Sequence, residues 1–174
     1  MVSEHAAFPV QGATHVIIDE LARDGQVRGA ADAAEIEVLY QADGDASRLE
    51  VFREGDAIRL SRARVQRITL PAALAVTVKR AFGDLHLHSL TGEANVEAVH
   101  GDLRLTGLGG TTRVAQVDGD LRADDVADLR LIGRCAGDLR FETGGNLEAE
   151  MVAGDVRIAQ AAAVRLNRVH GDLW

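Results

Sequence analysis

From Leu85 onward the apolar residues fall into a short repeating frame. Leu85, Leu87 and Leu90 are followed by Ala94, Val96 and Val99, then by Leu103, Leu105 and Leu108. The frame continues through Val114 and Val117, then Leu121, Ala123 and Val126, Leu139 and Phe141, Leu147, Ala149 and Val152, Val156 and Ile158, and Val164, Leu166 and Val169. Each unit reads apolar-x-apolar-x-x-apolar. The i, i+2 step is a strand alternation that puts both side chains on one face, and the third apolar residue covers a corner. No helical period fits. Thr112 and Gly144 are weak core residues in this frame. Around residues 128–132 the strict frame would turn Arg130 inward, so a local slip that buries Leu129 and Leu131 is expected.

A longer period overlies the short one. Gly-Asp pairs stand at Gly83-Asp84, Gly101-Asp102, Gly119-Asp120, Gly137-Asp138, Gly154-Asp155 and Gly171-Asp172, spaced by 18, 18, 18, 17 and 17 residues. Two short units make one coil, and a stack of coils buries an apolar face that no coil buries alone. The expected fold is all-β: a single-domain β-solenoid, parallel β-helix or roll-like, with 17–18-residue coils. Residues 1–64 read as an irregular β N-terminal cap with the first coils, and residues 65–174 as the regular repeats of the same continuous domain. In the irregular part, Val16-Ile17-Ile18 and residues 35–40 read as strands, and residues 49–60 as a hairpin about Glu54-Gly55-Asp56. Gly25-Gln26-Val27-Arg28 reads as a degenerate Gly-Asp-Leu-Arg unit.

The Gly-Asp pairs are assigned to a structural corner column. Gly would take φ > 0, and Asp would accept a backbone N–H in the turn. Two residues on, His86, Arg104, Arg122, Arg140 and Arg157 face the same way, a cationic ladder expected to neutralise the acidic one. A divalent cation on stacked carboxylates is the competing reading; turn chemistry explains the pattern without it, and no metal is assigned.

Composition narrows the rest. Apolar residues are 47% of 174 but aromatics only 3%, which suits a thin aliphatic interior. With 18 Gly and 2 Pro, turns rely on Gly, Asp and Asn. The net charge of −8, with no cluster of Lys and Arg free of interleaved acids, argues against nucleic acid. Cys135 is the lone cysteine, in an inward slot matching Val99, Val117 and Val152, where a buried structural thiol is the default. The first residues lack a basic and then apolar leader, and no apolar run is long enough to span a bilayer. A cytoplasmic chain without membrane insertion is the simplest expectation.

Ile68-Thr69-Leu70-Pro71, then Leu74-Ala75-Val76-Thr77-Val78, then repeated Gly-Asp-Leu-Arg-Leu units resemble the DUF4097 family of adhesin-type bacterial β-solenoid proteins. The Gly25-Gln26-Val27-Arg28 unit and the Glu54-Gly55-Asp56 hairpin match the N-terminal part of that pattern, so the resemblance covers nearly the whole chain. It implies the solenoid fold, supplies no catalytic residues, and points to the bacterial envelope, reached here through a partner. Calcium-binding nonapeptide rolls fit less well, because only isolated Gly109-Gly110 and Gly144-Gly145 pairs occur. Bactofilin-like polymer-forming solenoids share the coil length and remain a rival.

Little in the sequence carries chemistry. His86-x-His88 puts two imidazoles on one strand face, the start of a Zn²⁺ pair, but no third or fourth ligand is evident. His100 and His170 share their slot with Asp118, Ala136 and Ala153, so that slot does not demand histidine. No phosphate loop, triad or paired-carboxylate motif is present. The expectation is a protein without enzymatic activity or cofactor: a structural or protein-interaction module. A filament-forming scaffold is the alternative, and a carbohydrate-binding or carbohydrate-active solenoid a weaker one, given one Trp and one Tyr for sugar stacking.

The C-terminal end stands apart. Residues 164–169 form a regular unit, and His170-Gly171-Asp172-Leu173-Trp174 begin another coil. Trp174 takes the slot held by arginine in earlier coils. Either the sequence is cut inside a longer array, or this edge is a contact surface built on Val169, Leu173 and Trp174. The expected partner is a second copy, paired end to end as a dimer or stacked as a filament, with another unidentified protein also open.

Overall fold

The computed structural model describes residues 2–42, 48–61 and 64–174. Parts of the N-terminal segment, residues 1, 43–47 and 62–63, therefore lie outside the described residues. The described residues form an all-β, largely parallel structure without helices, in which one 14-stranded sheet winds through the chain.

The regular part begins with β7 (Ala75–Ala81), β8 (Leu85–His88) and β9 (Ala94–Val99). Three long strands follow, β10 (Leu103–Val117), β11 (Leu121–Cys135) and β12 (Leu139–Val152), then β13 (Val156–Gln160) and β14 (Ala163–Val169). Every pairing among them is parallel, and equivalent slots stack. In a leading row Leu85 lies beside Leu103, then Leu121, Leu139 and Val156. In a trailing row Val99 lies beside Val117, Cys135, Val152 and Val169. These side chains point inward because the strand period is two, and nearly all are fully buried down to Val156. The core is a column of aliphatic side chains, as the low aromatic content requires. Every buried side-chain N or O atom among the described residues has a hydrogen-bond partner.

The slip near residue 130 takes a definite form. Between β10 and β11 the register loses a residue after Leu108/Val126 and regains it between Val114/Leu131 and Gln116/Arg134. Leu129 and Leu131 are thereby buried and Arg130 faces out. β12 lacks the second insertion, since Leu131 pairs with Ala149 and Arg134 with Met151. That missing residue shortens the coil from 18 to 17 residues between Gly137 and Gly154. Gly144 is a weak core residue for a local reason: a Cβ there would lie 2.5 Å from Phe141 Cζ, so the buried Phe141 ring fills the space.

The N-terminal part stacks out of chain order. β1 (Val2–Pro9), β2 (His15–Ala30), β3 (Glu35–Ala42), β4 (Glu50–Glu54), β5 (Ala57–Ser61) and β6 (Arg64–Pro71) precede β7. β2 spans both rows. Its first half lies between β5 and β7, and its second half between β6 and β8, all parallel. The coil formed by β2 is thus inserted between the coil of β5 and β6 and that of β7 and β8. Val16, Ile18, Leu21 and Val27 are completely buried there. Antiparallel strands close this end: β3 on β6, β1 on β3, and β4 on β5. The degenerate Gly25 unit lies in the leading row two residues further along than the motif suggests, with Val27 opposite Leu87 rather than Leu85. An even displacement keeps the same side chains inward.

Candidate functional site

Three surfaces deserve description: the corner column, the outer face of the leading row, and the last coil. At the corner, Asp84 Oδ1 accepts the backbone N–H of Asp102 at 2.8 Å. The same 2.8 Å bond recurs from Asp102 to Asp120, Asp120 to Asp138, Asp138 to Asp155 and Asp155 to Asp172. Each carboxylate therefore tethers the next coil, not its own turn as the sequence suggests. The glycines also act differently from expectation. None of the corner glycines has positive φ; among the described glycines Gly12, Gly55 and Gly107 do. They are glycine because a Cβ has no room: at Gly119 it would stand 2.1 Å from Asp102 Oδ1 and 2.8 Å from Gly101 O. Close approach of one coil to the next is the constraint.

The arginine column is in place but does not neutralise the aspartates. Arg104, Arg122, Arg140 and Arg157 stand side by side on successive strands, all exposed. No ion pair joins them to the Asp column among the described residues. Glu142 instead lies between two rungs, 3.7 Å from Arg122 and 3.9 Å from Arg140. The Oδ1 atoms of Asp84 to Asp155 are occupied by backbone N–H groups of the next coil. At the N-terminal end of this face the composition changes. His86 lies beside Arg104 on one side and Gln26 on the other, and Gln26 beside Arg67. In the next row His88 lies beside Thr106 and Arg28, and Arg28 beside Thr69. The two imidazoles are 4.7 Å apart between ring centres. Burial, then the neighbouring His88 and Arg104, lower the pKa of His86; burial and Arg28 lower that of His88.

The remaining candidates are structural. Cys135 is fully buried, and burial raises its thiol pKa to about 11, which keeps it protonated and unreactive at neutral pH. His100 Nδ1 is 2.9 Å from Asp118 Oδ2, and Gln116 Nε2 donates to Asp118 Oδ1 at 2.8 Å. Those two bonds, Gln116 first, lower the Asp118 pKa. No nucleophile completes this pair, and Phe82 stacks on the other side of His100. Among the described residues no group of three or more His, Cys, Asp or Glu could hold a metal ion. No helix there is long and apolar enough to cross a membrane.

At the C-terminal end, Leu173 bridges to Val156, Trp174 N–H donates to Val156 O, and Ile158 N–H to Trp174 O. Trp174 lines a shared depression with Arg140 and Arg157, at the end of the arginine column. Trp174 is 70% exposed, Leu173 60% and Val164 45%, whereas Val169 is half-buried. None of the chain's described N-terminal strands covers this coil.

No family model and no curated protein matches the sequence. Solved structures do align along its length. One is a "putative adhesin" of Bacteroides fragilis NCTC 9343, 12% identical with a TM-score of 0.47, covering 99% of this chain and 96% of that one. A "putative cell adhesion protein" of Clostridium sporogenes ATCC 15579 is 8% identical with a TM-score of 0.41, covering 99% and 97%. A "putative adhesin" of Parabacteroides merdae ATCC 43184 is 12% identical with a TM-score of 0.36, covering 99% and 96%. At such scores the likeness carries nothing about what this chain binds.

Sequence reasoning found His86 and His88 but missed Arg28 and Arg67 beside them. These arginines belong to strands 58 and 19 residues away from His86, and only the insertion of β2 between β6 and β8 brings them together. The one signal was the Gly25 unit, whose slot in the leading row implied that Gln26 and Arg28 share a face with the histidines.

Proposed function

We propose that this chain is a non-catalytic interaction and scaffold module, a rigid β-solenoid rod of the kind the DUF4097 resemblance implies, which pairs with a second copy through its last coil. The parallel stacking of equivalent slots supports the solenoid reading, and the absorption of the corner carboxylates into that stacking leaves them without a chemical task. The exposed apolar surface of Leu173, Trp174 and Val164 on an unpaired strand edge carries the self-association reading. An open edge of N–H and C=O groups is a template for another chain. A two-fold contact joins the two edges and stops growth, whereas head-to-tail stacking would continue into filaments. The antiparallel β1, β3 and β4 at the opposite end disfavour a filament, because a parallel coil cannot continue onto them in register.

Light scattering across concentration tests this. The expected result is a dimer fraction that grows towards ~100 µM, where even a weak edge contact is populated. Trp174→Arg and Leu173→Asp should return the protein to a monomer without lowering its melting temperature. A monomer at that concentration overturns the dimer, and a species that keeps growing supports the filament.

A further inference from the structure

On the outer face of the leading row, charge is balanced at one end and not at the other. Along β11 and β12 the arginines have acids on the neighbouring row, where Asp124 and Glu142 follow Ala123 and Phe141, and Glu142 lies near two guanidinium groups. Four strands earlier the same row reads Thr69, Arg28, His88 and Thr106. Neither Arg28 nor Arg67 forms an ion pair among the described residues, and both are exposed. Arg67 Nε is 3.2 Å from Gln26 Oε1, which steadies the guanidinium and leaves its terminal N–H groups free to donate. A depression of about 440 Å³ opens here, lined by Arg28, Arg67, His88, His5, Thr69 and Glu37 among others.

We propose that Arg28, Arg67 and His88, with His86 beside them, form a binding site for a dianionic oxyanion, a phosphate or sulfate group carried by a ligand. Two guanidinium forks on adjacent strands can each donate two N–H bonds to one tetrahedral anion. The Thr69 hydroxyl and an imidazole N–H supply further donors. The charged groups facing this site are His5 from β1, Glu37 from β3, Arg67 from β6, Arg28 and Asp24 from β2, Asp84 and Asp102 from the corners just before β8 and β10, and Arg104 from β10. Of the acids, Asp84 and Asp102 have Oδ1 occupied by backbone N–H groups. Glu37 is the only acid lining the depression, so the permanent charge there is positive. Burial and the cations around them lower the pKa values of the two histidines. An anion that screens those cations lets the imidazoles take up protons, so binding and protonation reinforce each other.

The test is titration of the histidine side chains by NMR, with sodium sulfate against sodium chloride at equal ionic strength. Sulfate keeps its charge across the range, so the pH dependence reports the protein. The expected result is a rise of about half a unit or more in the His86 and His88 pKa values, with sulfate bound about threefold or more tighter at pH 5.5 than at pH 7.5. Arg28→Gln should abolish the shift, and Arg67→Gln serves if the first variant does not fold. Arg157→Gln, on the same face at the far end, should leave it intact. Glucose 6-phosphate and glucose 6-sulfate then distinguish the two sources of the anion. A shift equal to that in chloride, a shift retained in both site variants, or tight binding of Zn²⁺ by the histidines without any response to sulfate overturns the proposal.

Discussion

The chain contains two kinds of coil. From β9 to the C-terminus each strand rests on one from the coil before it in sequence, so its contacts reach back 17 or 18 residues. Before β7 one coil, β2, is wedged between two that come later, and the end is closed by antiparallel strands. In the regular coils the same slot does the same work each time, so packing, corner bonds and outward charges repeat. In the wedged coil the inward apolar slots still match those of β7, but residues from distant parts of the sequence become neighbours on the outer face. Repetition places acids beside the arginines of the outer face, as Glu142 stands near Arg122 and Arg140; interleaving brings Arg28 and Arg67 to one depression with Glu37 as the acid in its lining. In this molecule the local irregularity of the N-terminal part, rather than the repeat, creates chemistry.

The comparison is broken most severely through the core. Leu105 is completely buried between Leu87 and Ala123. Leu105→Asp places a carboxylate among aliphatic side chains with no partner, a cost of several kcal/mol, roughly 3–5. At ~2–4 °C per kcal/mol for a domain of this size, the melting temperature should fall by about ten degrees or more, or the coils should unfold outright. Thermal unfolding followed by circular dichroism measures it. A change of a degree or two would mean that Leu105 does not face the core. Val27→Asp, at an equally buried site in the wedged coil, asks whether that coil holds both neighbours at once. If it does, the loss is at least as large.

A smaller effect distinguishes the two kinds of glycine. Gly119→Ala puts a methyl 2.1 Å from Asp102 Oδ1, which must give up its bond to the Asp120 N–H or shift the coil. The expected loss is ~1–3 kcal/mol, or about 3–10 °C. Adding Asp102→Ala should cost less than the sum of the two single changes, because the clash and the lost bond are one event. Strict additivity would show that the corner is not held by this contact. Gly12, with open space around it but φ +77, should lose only about 1 kcal/mol as alanine.

What the sequence made legible follows the same division. The inward slots at Leu103, Leu105, Val114 and Leu121 could be read because a two-residue period has only one solution once a face is buried. The slip near Arg130 could be read because the alternative buries a guanidinium. The corner was legible as Gly-Asp but not in its mechanism, since a bond from one coil to the next looks the same in sequence as a bond within a turn. The order of the N-terminal coils was not legible. Nothing in residues 15–30 states which later strands flank them, because parallel strands recognise a matching apolar face and any of several coils offers one. The oxyanion patch depends on that order and was lost with it.

The smallest expected effect is none, and it concerns the corner column, which exists only in the regular coils. Six stacked carboxylates at strand spacing look in sequence like a ladder for divalent cations, since Ca²⁺ takes oxygen ligands and stacked anions repel. Yet Oδ1 of each aspartate from Asp84 to Asp155 is committed to a 2.8 Å bond from the next coil. A calcium ion needs six or more oxygens about it, and the remaining oxygens of the column lie along a line rather than around a point. Removing divalent ions with EDTA should therefore leave the melting temperature unchanged within about a degree. A fall of about ten degrees, restored by Ca²⁺ but not by the same ionic strength of NaCl, would show that the column binds metal. It would also reverse the comparison, placing the chemistry of the molecule in its repeats.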